Sequence, residues 1–427
     1  TELSDSDGST WGGHVYVCDL DTMLGWLPMS SLAPFFVYKK KGAMDDIGNY
    51  RPISLMSNIY KVFSKVILAR LSPLLDQNQP IKQAGFFSTI DHIHTITILF
   101  HIHTVKLILQ KYKGSIKLES TGKPFLIERG VRQGDPLSPK LFSAVLETIF
   151  IKLDWDDYGL NINGRCLYHL RFADDLVLME EDPKKLEFMV QNLSKQSMQV
   201  GLVMNVNKTK MMTNSVKVEI EINNCNFEYI DEYVYLGQII SPRDQMTTEI
   251  HKRIAYGWRK YWSLKEIMKS KELGLHLKRK TFNTCILPCL TYGCETWSIT
   301  TQHRDKLTKC QRAMERSMIG VKLRDTIRNT DLRSRTKVTD IITRIDQQKW
   351  RWTGHMLRDK VDKWSKQVTH CYPRDGTRKR DRQARRWEDD IWATLGPRWT
   401  RVALDRQQWK ELEEAYANRH SELRDIL

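Results

Sequence analysis

Cysteine is sparse in this 427-residue chain, with eight residues, which argues against a disulfide-stapled secreted scaffold and favours a reducing compartment. No apolar run approaches the roughly 20 residues of a membrane-spanning helix, and nothing resembles a secretory signal. An intracellular place and no membrane partner are therefore expected. No internal repeat is evident. Hydrophobic residues make up 41%, too many for a disordered chain and enough for two or three packed domains. Acid is in deficit: 51 Asp and Glu against 67 Lys and Arg leave a formal charge of +16 and a pI near 9.4. Such an excess attracts polyanions at long range and makes phosphate contacts that weaken as salt rises. One local deficit matters more. Between Asp91 and Asp135 there is no aspartate, only Glu119 and Glu128.

Against that gap stands the stretch Arg171-Phe172-Ala173-Asp174-Asp175-Leu176-Val177-Leu178-Met179, two adjacent carboxylates between short apolar runs. A tight turn between two strands sets both acids at a hairpin tip, where hard oxygen ligands can hold Mg²⁺ beside the phosphates of a nucleotide. A two-metal site needs a further carboxylate from another strand, and the segment before Asp135 is where it is sought.

Periodicity organises the rest. Ile59, Val62, Phe63, Val66, Ile67 and Leu71 fall at helical spacing, with Lys61 and Lys65 on the wet face. The apolar run from Ile90 to Leu109 carries His92, His94, His101 and His103, which nothing draws together as a metal site. Leu186, Met189, Val190 and Leu193 mark another helix. Gly201 to Lys210 reads as a turn, a strand and a basic end, and strands are expected near 216–222 and 233–240. Beyond about residue 245 strand signals fade, and Ile250, Ile254, Trp258 and Tyr261 share one helical face opposite many cations.

Around Gly134, the run Arg129-Gly130-Val131-Arg132-Gln133-Gly134-Asp135-Pro136-Leu137-Ser138-Pro139 combines a glycine that lets backbone approach a ligand, a pocket amide in Gln133 and a helix start at Ser138-Pro139. Asn49 to Leu55 and Lys82 to Phe86 are two further blocks. Taken together, Asn49–Leu55, Gln83–Phe86, Arg132–Pro139, Phe172–Asp175, Gly201–Lys210 and Tyr235–Gly237 resemble, in order and spacing, the reverse transcriptases of non-LTR (LINE-like) retrotransposons. Thr284-Cys285-Ile286-Leu287-Pro288, Leu290–Gly293, Trp350–His355 and Arg385–Ile391 resemble the C-terminal part of that family, so the likeness covers roughly residues 36 to 415.

The resemblance implies an α+β fold: a right hand of fingers and palm over 36–245, a helical thumb over 246–320 and a basic helical region over 321–427, after a poorly specified segment 1–35. It implies an RNA template, a DNA primer and Mg²⁺. Asp174 and Asp175 match the palm's metal-binding pair, and Lys208 matches a lysine whose ammonium protonates the leaving pyrophosphate. Arg51, Gln133 and Gly134 match template and nucleotide contacts, and Tyr235, Leu236 and Gly237 match the hairpin that grips the primer. The departure is a missing strand. The family's aspartate-bearing block belongs between His94 and Arg129, where only about 35 residues remain and no such block occurs. An internal deletion near 95–128 with impaired catalysis is expected, and any DNA nicking is left to another chain, since the first 35 residues are too few for the family's endonuclease. The alternative is a non-catalytic RNA- or DNA-binding relic.

Arg253, Arg259 and Lys260, interleaved with Trp258, Tyr261 and Trp262, are expected to meet nucleic acid, as are Arg378, Lys379 and Arg380 in a run with seven basic residues between Arg374 and Arg386. Cys285, Cys289 and Cys294, with Cys310 or His303, have a zinc reading and a core-filling reading, and the apolar setting favours the core. Trp387, Ile391 and Leu395 suggest an amphipathic helix with Glu388, Asp389 and Asp390 on its wet side.

Overall fold

The computed structural model describes residues 35–38, 50–53, 58–76, 113–114, 125–126, 134–222, 225–242, 245–371 and 385–419. It mixes helices with short antiparallel strand pairs and divides into two units: residues up to Leu160 with Cys166–Met204, and Asn161–Arg165 with Asn205–Leu427.

In the first unit the helix Asn58–Asp76 turns Ile67 and Leu71 inward against Leu137, with Phe63, Leu68 and Leu141 around them. Val62 and Val66, expected on the buried stripe, are exposed. The buried face follows the i, i+4, i+8 row of Phe63, Ile67 and Leu71, which leaves the neighbouring valines one step around the helix. The helix Ser138–Ile151 starts where its Ser-Pro pair predicted, and the Asp135 carboxylate accepts the Leu137 N–H at 3.0 Å. The helix Pro183–Gln199 is capped by Asp182, which accepts from Lys184 N. Ile149, Phe150, Leu153 and Trp155 pack with Met189 and Leu193 of that helix.

The second unit is mainly helical. The segment Gly201 to Lys210, whose first four residues belong to the first unit, holds no strand: Asn205 to Thr209 form a turn closed by Asn205, and among the described residues Met211 bridges to Tyr229 near it. The segment near 216–222 contributes only Glu221–Ile222, while 233–240 folds back on itself as Tyr233–Tyr235 paired with Gln238–Ile240. Helix Gln245–Ser263 buries Ile250 and Tyr261, with Ile254 and Trp258 packed beside them, as its periodicity predicts. Its Gly257 is required by close packing, since a side chain there would overlap Leu290. Leu275–Thr281 runs through a π-helical turn, Phe282–Ile286, into Leu287–Leu290. Pro288 has no N–H to give to the fourth residue before it, which accounts for the widened turn.

Towards the C-terminus, Trp350 and Trp409 stack at 3.8 Å, and each indole N–H donates to the other's backbone carbonyl, at 2.7 and 2.9 Å. Beside them lies a buried ionic cluster. Arg304, on helix Thr301–Ile319, makes two 2.9 Å bonds to Asp346 of helix Ile341–Arg358. Lys349 donates to the carbonyls of Trp297 and Trp387, at 3.1 and 2.6 Å, and lies 3.3 Å from Asp390. Arg419 approaches Asp346 at 3.3 Å, and Arg385 pairs with Asp390. Asp390 is 2% exposed, so it does not lie on the wet face of its helix; it ties Asp389–Leu395 to the core of the unit.

Burial pulls the Lys349 ammonium from its ordinary 10.5 down to about 7, against the attraction of Asp346. Between those values the unfolded chain keeps a proton that the folded chain has lost, so stability rises with pH across this window. Above about 10 the opposing Tyr416, raised to about 12 by burial, begins to reverse the gain. The melting temperature followed by tryptophan fluorescence is expected to rise between pH 6.5 and 9 and to flatten in Lys349→Met; a wild-type profile falling over that range counts against this assignment.

Candidate nucleic-acid and metal site

Strands His169–Phe172 and Asp175–Leu178 pair in register, with Phe172 opposite Asp175 and His169 opposite Leu178. Ala173 and Asp174 make the two-residue turn, and Ala173 takes φ 53°, the left-handed conformation that a tight hairpin demands. Alternation then sorts the side chains. His169, Arg171, Leu176 and Leu178 face inward, while Phe172 and both aspartates are exposed.

The inward face is held by charge as well as by apolar packing. Arg171 reaches Glu147 of helix Ser138–Ile151 at 2.9 Å, both nearly fully buried, and its guanidinium lies 4.1 Å from the Phe150 ring centre. Burial raises the Glu147 carboxyl and lowers the Arg171 guanidinium, in each case partly offset by the other's charge. His169 stacks on Phe150 at 4.7 Å. The helix that follows the Gly134 turn is thus the platform on which the Asp174–Asp175 tip stands. Gly134 takes φ 106°, a conformation suited to glycine.

Asp175 is raised above the ordinary carboxylate range by burial and then by its neighbour Asp174. Two like charges side by side at an exposed tip favour a bound cation, and carboxylate oxygens are the donors Mg²⁺ takes. Donor type therefore fits. Among the described residues no group of three or more His, Cys, Asp or Glu is gathered to hold a metal.

In the second unit Lys208 is exposed on the Asn205–Thr209 turn. Tyr235, Leu236 and Gly237 form the tip of the second hairpin, with φ 46° at Leu236 and 83° at Gly237. The hairpin borders a cavity of about 550 Å³ lined also by Asn283, Leu287, Pro288, Tyr292 and Arg344. Arg259 is exposed and Lys260 half-buried. Lys252, Arg253 and Arg259 lie 5.4 to 5.8 Å from the ring of Tyr256, and Lys269 lies 5.3 Å from that of Trp262; both rings are exposed. Of these cations Arg259 and Lys269 are exposed, and held over open aromatic faces they suit phosphate and base together.

For Arg253 the structure corrects the expectation. It is 4% exposed, bonded to Glu249 at 2.5 Å and to the Gly237 carbonyl, so its charge is spent inside. Arg51 lies in strand Tyr50–Ile53, paired with Val37. Gln133, Arg378, Lys379 and Arg380 lie outside the described residues, as do the histidine run, Lys82–Phe86, Glu119 and Glu128. Cys294 and Cys310 are buried and Cys285 and Cys289 half-buried; burial pushes the Cys310 thiol up to about 12 and raises Cys294 as well, the behaviour of core fillers.

Residues 81–240 match the reverse transcriptase (RNA-dependent DNA polymerase) family. That stretch contains the Asp174–Asp175 hairpin, the Gly134 turn, Lys208 and the Gly237 hairpin, and it is a reverse transcriptase domain. The relatives narrow it. The chain is 29% identical over 273 residues to a transposon-derived protein of Caenorhabditis elegans, covering 58% of this chain and 96% of that protein. It is 25% identical over 270 residues to the Pol polyprotein of the R2 retrotransposable element of Nasonia vitripennis, and 42% identical over 62 residues to that of Popillia japonica. These alignments cover 26% and 10% of the two polyproteins. The domain belongs to the reverse transcriptases of non-LTR retrotransposons.

Proposed function

We propose that this chain is the polymerase part of a retrotransposon protein, one that holds an RNA template and a DNA primer but extends the primer weakly or not at all. The observation that carries the reading is the sequence gap: no aspartate stands between Asp91 and Asp135, where the family's strand supplies a metal-binding carboxylate. Residues 36–245 then correspond to fingers and palm with a deletion near 95–128, 246–320 to the thumb and 321–427 to a basic extension.

Asp174 and Asp175 would hold Mg²⁺, which when bound neutralises phosphate charge and lowers the pKa of a primer 3′-hydroxyl. The residues of the chain do the rest. Gln133 and Gly134 support template and nucleotide, Arg51 meets phosphate, Lys208 donates a proton to the leaving group, and the Tyr235–Gly237 tip contacts the primer. Arg259 and Lys260, with Arg378, Lys379 and Arg380, bind the nucleic-acid backbone. The site of action is nuclear or cytoplasmic.

The test is primer extension on a homopolymeric RNA template with Mg²⁺ and dNTPs, beside an Asp174→Asn/Asp175→Asn double variant. Both carboxylates are exposed and repel each other, so the double variant is expected to keep its melting temperature. We expect no extension above background, with template binding that falls by about tenfold or more between 50 and 200 mM salt. Extension in the wild type that disappears in the variant would show that another group replaces the missing carboxylate. A second reading, a nucleic-acid-binding relic, is favoured by the open cation–aromatic face around Tyr256 and Trp262; there the double variant binds as the wild type does and neither extends.

A further inference from the structure

The turn of the Gly237 hairpin is unusual in having its outward polar atoms taken up by the protein itself. In a tight two-residue turn the turn carbonyls point away from the strand ladder and ordinarily meet water. Here the Tyr292 hydroxyl donates to the Leu236 carbonyl at 2.9 Å. The Gly237 carbonyl accepts from the Arg253 guanidinium, with the Lys252 ammonium 3.5 Å away. The second strand is tied to the same helix: Ile239 N–H donates to Glu249 Oε2 at 2.8 Å, and Glu249 Oε1 accepts from Arg253 Nε at 2.5 Å. One carboxylate and one guanidinium therefore join the turn, the returning strand and helix Gln245–Ser263.

A second element closes the ring. The Gln238 amide donates to the Gly293 carbonyl at 3.1 Å and accepts from the Thr296 hydroxyl at 3.1 Å. Arg253 lies 4.8 Å from the centre of the Tyr292 ring, so the two side chains that hold the turn also brace each other. Gly237 is needed twice over: its φ is 83°, and an added Cβ would come within 3.1 Å of the Tyr292 ring. The large side chains the hairpin exposes are Tyr233, Val234, Leu236 and Ile240, and the Gly237 backbone is open beside them although its carbonyl is taken.

We propose that Arg253 and Tyr292 are positioning residues that clamp the Tyr235–Gln238 turn to the helical bundle, so that the hairpin and helix Gln245–Ser263 move as one body and a primer strand resting on the hairpin keeps its register with the helix. The part concerning a primer rests on the function proposed above. The clamp itself does not. It follows that the hairpin meets a nucleic-acid strand through Tyr233, Leu236 and the open Tyr292 ring rather than through its turn carbonyls.

Two measurements on the full chain decide this. The first is hydrogen exchange by mass spectrometry without nucleic acid. Tyr292→Phe, which keeps the ring and removes only the hydroxyl, is expected to speed exchange of residues 233–240 by about three- to tenfold, and Arg253→Ala by more than about tenfold, with residues 301–319 unchanged. Arg253→Lys, able to reach Gly237 or Glu249 but not both in fork geometry, is expected to fall between wild type and Arg253→Ala. Unchanged exchange at 233–240, or an equal rise across 301–319, overturns the clamp. The second uses an RNA–DNA primer duplex carrying 2-aminopurine at the primer 3′ end. The variants are expected to free the terminal base, seen as a fluorescence rise of twofold or more, while duplex affinity changes by less than threefold. Faster exchange with a terminus held as in the wild type overturns the positioning role and leaves a structural contact. A terminus free in the wild type itself overturns the primer-holding reading, and the positioning role with it.

Discussion

Replacing Asp346 with alanine is expected to lower the stability of the second unit by about 3 to 5 kcal/mol, the range for removing one partner from a buried ion pair. Asp346 is fully buried and receives two bonds from Arg304 and an approach from Arg419. Without it four cations, Arg304, Lys349, Arg385 and Arg419, share the single carboxylate of Asp390. Lys349 can respond by losing its proton, since burial already holds it near 7. The arginines cannot. The loss therefore falls on the guanidinium pair, and it is expected to exceed that of Lys349→Met at neutral pH. Urea unfolding followed by tryptophan emission reads the difference, because Trp297, Trp350, Trp399 and Trp409 all lie buried in this unit. A loss under about 1 kcal/mol would mean that water or rearrangement satisfies Arg304 and that the cluster is not the keystone of the C-terminal helices.

Buried charges of this kind leave no mark in a local window of sequence. The Asp174 hairpin was legible because a two-residue turn between alternating runs is a local signal, and so was helix Gln245–Ser263, whose apolar row repeats every three to four residues. Charge was legible only as a preference for solvent. Asp390 and Arg253 broke that rule because partners that bury them stand elsewhere in the chain: Lys349 lies 41 residues before Asp390, and Arg253, besides its near neighbour Glu249, bonds Gly237 16 residues before it. A buried charge is stabilised by the fold that brings its partner, so a short window reads it as wet. Val62 and Val66 failed for a related reason: helical periodicity gives a broad stripe, and packing by Leu137 and Leu141 selects only part of it. No strand follows Gly201, although the segment alternates apolar residues, because Asn205 closes a turn on Lys208 and Thr209.

The second large effect concerns the platform beneath the carboxylate tip. Glu147→Met is expected to cost about 3 to 5 kcal/mol, because Arg171 would remain charged, buried and without its carboxylate. The double variant Glu147→Met/Arg171→Met separates charge from packing. It removes both ions and fills similar volume against Phe150, so it is expected to recover most of the loss and to equal or exceed wild-type stability. Chemical denaturation of the three variants and wild type closes the cycle. The pair also predicts a local effect: in Glu147→Met the strand carrying Arg171 loses its tie to helix Ser138–Ile151, and exchange across residues 169–178 should quicken more than across 183–199. Recovery in the double variant would assign the pair to specifying where the hairpin docks rather than to net stability, which is the role an inward-facing arginine two residues before the turn would serve if the tip must present Asp174 and Asp175 in one place. If the double variant is as unstable as Glu147→Met, the deficit comes from lost packing on Phe150 and the ion pair is incidental to the site.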